Sequence, residues 1–158
     1  MLDIYHLRQY RESSRLEAKE ALGGLPESIW ETYSGFANAD GGIILLGVKE
    51  LPDRSLQALD LLDPQWLIED FLAILRDPDR VSRNILGEDS IRIHTVEGRQ
   101  IIAISVPAAQ TREKPVYLNR NPYRETYCRR GDADCRCTRE EVDAMFLAAG
   151  KLPEDRSE

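Results

Sequence analysis

The sequence predicts an α/β (α+β) domain, a mixed sheet with flanking helices, and three observations carry that prediction. Between Trp30 and Glu50 the apolar pattern changes from a helical spacing to a continuous run through one Gly-Gly corner. Residues 90–106 alternate polar and apolar on both sides of a Glu97-Gly98 turn, which reads as a hairpin. A length of 158 residues suits one domain with a sizeable core and is short for two.

Taken in order, Ile4 to Tyr10 reads as a short helix or turn carrying Leu7. Arg15 to Lys19 alternates, with Leu16 and Ala18 on one side, and predicts a first strand. Gly23-Gly24 breaks the chain, and Pro26 is suited to open a helix through about Ala39, with Ile29, Trp30, Tyr33, Phe36 and Ala37 on its apolar face. Asn38, Asp40 and Gly41-Gly42 supply residues that tolerate left-handed backbone, so the helix should stop there. Ile43 to Leu46 is apolar throughout, as expected of a strand covered on both faces.

After Glu50 a polar loop with Pro52 and Asp53 leads to a short strand near Leu56. Asp63-Pro64 caps and opens the next helix, with Trp66, Leu67, Phe71, Leu72, Ile74 and Leu75 forming a broad apolar face, and Asp77-Pro78 ends it. The hairpin follows, its His94 an ordinary surface histidine. Lys114 to Tyr117 and Pro122 to Gly131 read as two short strands around a polar loop. Thr138 and Glu141 make a capping box for a last helix with Val142, Met145 and Phe146 inward. Domain boundaries are expected at 1–150, with 151–158 a linker or tail and the chain the leading domain of a longer protein.

Several function classes are excluded or disfavoured. Gly42 and Gly47 have the spacing of a phosphate loop, but Val48 stands where such a loop needs Lys, and the four residues between belong to a core strand. ATP binding therefore has no support in the motif. No apolar run nears the roughly 18 residues that span a bilayer, and the start lacks a signal peptide's regions, which predicts a cytoplasmic protein. Cys128, Cys135 and Cys137 lack zinc-ribbon spacing and are expected to be ordinary reduced thiols. The net charge of −7 excludes a uniformly basic coat, yet residues 112–139 carry +4, leaving −11 for the rest. In that segment Arg120, Arg124, Arg129 and Arg130 lie among Tyr117, Tyr123 and Tyr127, a mixture suited to phosphate contact and stacking.

Three blocks in order resemble the Schlafen AlbA-type family (AlbA_2). They are Glu12-Ser-Ser-Arg-Leu-Glu-Ala-Lys19, then Phe36-Ala-Asn-Ala-Asp-Gly-Gly42 followed by Leu46-Gly-Val48, then Tyr127-Cys-Arg-Arg-Gly131 with the closing Thr138 helix. Departures are Ala18 for the usual Phe, Gly35 where Ala is common, and the acidic Asp132-Ala-Asp134. The resemblance implies a nucleic-acid-binding domain, DNA or RNA, serving as the N-terminal module of a bacterial transcriptional regulator, with Lys19, Arg120, Arg124, Tyr127, Arg129 and Arg130 as contacts. It also implies an alternative, a metal-dependent endoribonuclease on structured RNA such as tRNA. In that case Glu12, Glu17 and Glu50, with Asp53 in reserve, hold Mg2+ or Mn2+; otherwise no cofactor is expected. The paired lobes of vertebrate Schlafen proteins imply a homodimer.

Overall fold

A computed structural model of the protein describes residues 2–151; the expected tail beyond Lys151 lies outside the described residues. Its central sheet contains β1 (Leu16–Lys19), β2 (Gly42–Leu46), β5 (Ile91–Val96) and β6 (Arg99–Val106) in the order β1-β2-β6-β5. β1 runs parallel to β2 and the other pairs are antiparallel, so the sheet is mixed as expected. Two hairpins stand apart from it, β3 (Val48–Glu50) with β4 (Leu56–Ala58), and β7 (Tyr127–Arg130) with β8 (Ala133–Arg136). Among the described residues three α-helices, α1 (Ile29–Ala37), α2 (Pro64–Leu75) and α3 (Arg139–Ala148), and two 3-10 helices, Ile4–Gln9 and Thr111–Glu113, complete the fold.

The continuous apolar run in β2 serves two cores. Ile44 and Leu46 face Ile29, Tyr33 and Phe36 of α1 and Leu67, Phe71 and Leu75 of α2. Leu45 faces the other way, onto Leu7 of the 3-10 helix and Val48, Leu56 and Ala58 of the small hairpin. Burying each such side chain contributes roughly 1.5–3 kcal/mol, so β2 is the member both layers share. Trp30 stacks on Phe71 with ring centroids 4.7 Å apart. Trp66, expected on the apolar face of α2, is instead 55% exposed, because the buried stripe follows Leu67, Phe71 and Leu75. Among the described residues no helix is long and apolar enough to cross a membrane.

Several local expectations are corrected. α1 begins at Ile29 rather than Pro26, whose carbonyl instead accepts from the Ile29 amide in a preceding turn. Only Gly41 of the expected stop is left-handed, at φ 78, and there a Cβ would lie 2.7 Å from the Val106 carbonyl oxygen. Gly42 is required for a different reason: a Cβ would sit 2.8 Å from the Phe36 ring. Lys114 to Tyr117 is no strand; Tyr117 makes only an isolated bridge with Thr126. Beyond β7 the chain turns at Gly131-Asp132 and returns as β8, an element the acidic Asp132-Ala-Asp134 run concealed.

Asn38 does not stop the helix by adopting a left-handed backbone, since its φ is −85. Its buried amide works as a cross-link. Nδ2 donates to the carbonyls of Val116 (2.8 Å) and Tyr127 (2.9 Å), and Oδ1 accepts from the Val116 amide at 2.9 Å. Ser34, one turn earlier, donates to the Val116 carbonyl (2.8 Å) and accepts from the Tyr127 amide (3.0 Å). These side chains replace the ladder partners that the 116 segment and β7 lack on this side. An Asn38→Ala variant should therefore lose about 3 kcal/mol of stability, because buried backbone groups are left unsatisfied; urea titration of both proteins measures it.

Candidate nucleic-acid interface

The basic segment folds around a buried cation. Arg129, on β7, has a side chain only 1% exposed. Its Nη2 donates to Glu17 Oε1 at 2.7 Å, to the Ser13 carbonyl at 2.8 Å and to the Leu16 carbonyl at 3.2 Å. Nε also reaches the Ser13 carbonyl, at 3.2 Å, and Nη1 reaches Asp134 Oδ1 at 2.9 Å. The guanidinium lies 4.9 Å from the centroid of Phe36. Burial alone would pull its pKa down, but the hydrogen bonds it donates to Asp134 and Glu17 outweigh that and hold it above the ordinary value. Arg129 is thus corrected from a surface phosphate contact to an internal tie.

Asp134 belongs to the same assembly. Its second oxygen accepts from Thr32 Oγ1 of α1 at 2.6 Å. A Cβ at Gly35 would lie 3.0 Å from Asp134 Oδ1, which is why glycine suits this turn of α1. Asp134 was not singled out as a site residue in the sequence, although it faces Arg129 across a two-residue turn. The one available signal was local: an acid set opposite an arginine in a tight hairpin is a natural cross-strand partner.

The three expected carboxylates stand on separate elements, and Glu12 feels the charges of the other two. Glu12 precedes β1, Glu17 lies on it, and Glu50 ends β3. Glu12 Oε2 accepts from the Ala18 amide at 3.0 Å, an amide on the open side of β1. Its carboxyl is held above the ordinary 4.5, first by burial, with the charges of Glu17 and Glu50 adding to the rise while the Ala18 bond opposes it. Glu17 is already neutralised: beside Arg129, its Oε2 is 3.5 Å from Lys19 Nζ. Asp53 serves the β3–β4 turn, accepting from the Ser55 hydroxyl (2.6 Å) and amide (2.9 Å).

The expected contacts therefore divide. Lys19 is mostly buried and donates to Ser28 Oγ at 3.0 Å. Tyr127 is buried, its hydroxyl accepting from Arg136 Nε at 3.4 Å, so it offers no stacking face. Arg120, Arg124 and Arg130 are exposed. Arg120 pairs with Asp79 at 2.6 Å and Arg130 with Glu141, both at the surface. Arg124 has no ion pair among the described residues. Arg136 and Arg139, not named from the sequence, join this exposed set, Arg139 lying 4.4 Å over the Tyr123 ring.

Two outcomes follow from the buried network. Arg129→Ala strands Glu17 and Asp134 without their cation and should cost about 3–5 kcal/mol in urea unfolding; Arg129→Lys should recover little, because an ammonium cannot reproduce the fork. Glu12 has a raised folded-state pKa, so its stabilising contribution is complete below the unfolded value and is lost as pH rises through the folded one. Glu12→Gln keeps an acceptor for the Ala18 amide and removes the charge. It should melt above the parent at pH near 7, with the gap closing near pH 4, in thermal scans across that range.

Comparison with known proteins agrees with the geometry. A family model described as Schlafen, AlbA_2 matches residues 12–138. No curated protein matches. One similar solved structure is the N-terminal domain of a RecG-related protein from Nitrosomonas europaea, named as a candidate ATP-dependent DNA helicase. It is 28% identical with a TM-score of 0.58, over 71% of this chain and 74% of that one. The DIP2311 protein from Corynebacterium diphtheriae shares the fold at 20% identity and a TM-score of 0.54, over 86% of this chain but only 24% of its own. With more than half its length matched by the family model, the chain belongs to the Schlafen AlbA_2 family.

Proposed function

We propose that the protein is a nucleic-acid-binding module, working within a bacterial transcriptional regulator. The observation that carries this reading is the exposure of six arginines in one short segment of an otherwise acidic chain: Arg112, Arg120, Arg124, Arg130, Arg136 and Arg139. Arg120 and Arg124 share the loop that carries Tyr123, and Arg139 covers that ring, so three of the six gather around one loop. The Arg120 and Arg130 pairs are solvent-exposed and screened by water, so a phosphate can take over either guanidinium at little cost. The RecG-related neighbour, named for a DNA helicase, supports the same direction.

The ribonuclease alternative draws on the influence that Glu17 and Glu50 exert on Glu12. Glu17, however, meets Arg129 and Lys19 through both oxygens, and among the described residues no three His, Cys, Asp or Glu side chains are grouped to hold a metal ion. This donor set does not fit Mg2+ or Mn2+ as arranged, and no hydrolytic step is derived from it.

Fluorescence anisotropy with labelled duplex DNA and tRNA, over increasing KCl, tests the proposal. Affinity should fall linearly with salt on logarithmic axes, and Arg124→Ala should reduce the slope by about 1 for all sequences alike. Affinity that ignores salt would sink it. Incubating tRNA with and without Mn2+ addresses the alternative, and no metal-dependent cleavage is expected.

A further inference from the structure

Three thiols share one side of the β7–β8 hairpin. Cys128 stands directly opposite Cys135, and Cys137 follows two residues later, so the pleat directs all three side chains the same way. Cys128 and Cys137 pack with Val142, Met145 and Phe146 of α3. The Cys137 amide donates to the Thr126 carbonyl at 2.8 Å, which continues the ladder and holds the two cysteines as diagonal neighbours. Their sulfurs are 2.8 Å apart. Cys135 makes no such contact among the described residues, and all three are free.

We propose that Cys128 and Cys137 are an oxidisable dithiol, a modification site at which a hydroperoxide drives formation of an internal disulfide. The Cys128 thiolate attacks one peroxide oxygen and the O–O bond breaks. The departing oxygen is protonated and leaves as water from hydrogen peroxide, or as the alcohol from an organic hydroperoxide, and Cys128 becomes a sulfenic acid. The Cys137 sulfur then attacks the sulfenyl sulfur, its proton leaves with the hydroxyl as water, and the S–S bond forms. Two electrons pass from the two thiols to the peroxide. Closing from the observed separation to a bond of ~2.05 Å requires less than ~1 Å of movement.

The environment assigns the two roles. Cys128 is half-buried, whereas Cys137 is buried. The contact between the two sulfurs lowers the Cys128 thiol and raises that of Cys137; burial opposes the first and adds to the second. Arg130 and Lys114 favour the Cys128 thiolate and Glu141 disfavours it. The bond joins the residue before the buried arginine to the residue before the cap of α3, two points already fixed relative to each other.

Purified protein treated with hydrogen peroxide tests this directly. Two of the three thiols should vanish from a thiol count in denaturant, and non-reducing peptide maps should show a Cys128–Cys137 link that dithiothreitol reverses. Cys135→Ser should respond in the same way, and Cys128→Ser should leave Cys137 reduced. The map of the unaltered protein decides the matter even if Cys128→Ser folds poorly. Retention of three thiols, a link through Cys135, a link between chains, or a Cys128 sulfinic acid without a link overturns the proposal.

Discussion

A guanidinium that is taken out of water must be matched on nearly every N–H, and the protein is arranged to do that for Arg129. The partners come from separate parts of the chain: the Ser13 turn, the Leu16 carbonyl and Glu17 of β1, and Asp134 of β8, which in turn holds Thr32 of α1. Each piece alone is a short strand or turn with little apolar surface. Together they surround one cation that cannot be satisfied unless all are in place. The cation therefore specifies how the β7–β8 hairpin docks on the rest of the fold.

α1 is the element that lets this docking occur. It is buried on all sides save at Glu31, but its two faces differ in kind. Ile29, Tyr33 and Phe36 enter the main core, while Thr32, Ser34 and Asn38 face the hairpin and the 116 segment through hydrogen bonds. Small or hydrogen-bonded residues suit that face because β7 backbone comes close, the Arg129 amide nitrogen lying 3.6 Å from where a Cβ at Gly35 would be. The apolar face fixes the helix to the sheet, and the polar face fixes the hairpin to the helix.

Much of this was legible from the residues. The period change at Gly41-Gly42, the Asp63 and Thr138 caps and the Glu97-Gly98 hairpin depend on local chemistry, and each lies where the sequence placed it. What could not be read was partnership across long separations. Arg129 looks like any arginine of a basic stretch until Glu17, 112 residues away, is seen beside it. Asn38 looked like a helix stop for the same reason, since its partners lie 78 and 89 residues on. The nearness of Glu12 to Glu17 and Glu50 was legible only through family resemblance, because a spacing of five along a regular strand sends Glu12 and Glu17 to opposite faces. The turn at Ser13 to Leu16 removes that obstacle.

The two margins of the central sheet are unlike. Along β1 the outward-facing amide of Ala18 is held by the Glu12 carboxylate and the Leu16 carbonyl by Arg129, so an incoming strand finds those bonding sites taken. Along β5 no strand lies outside among the described residues, and Ile93 is 39% exposed there. Any backbone from a neighbouring molecule that added itself to this sheet would have to arrive beside β5, where a single exposed isoleucine, Ile93, stands between the polar Arg92 and Thr95.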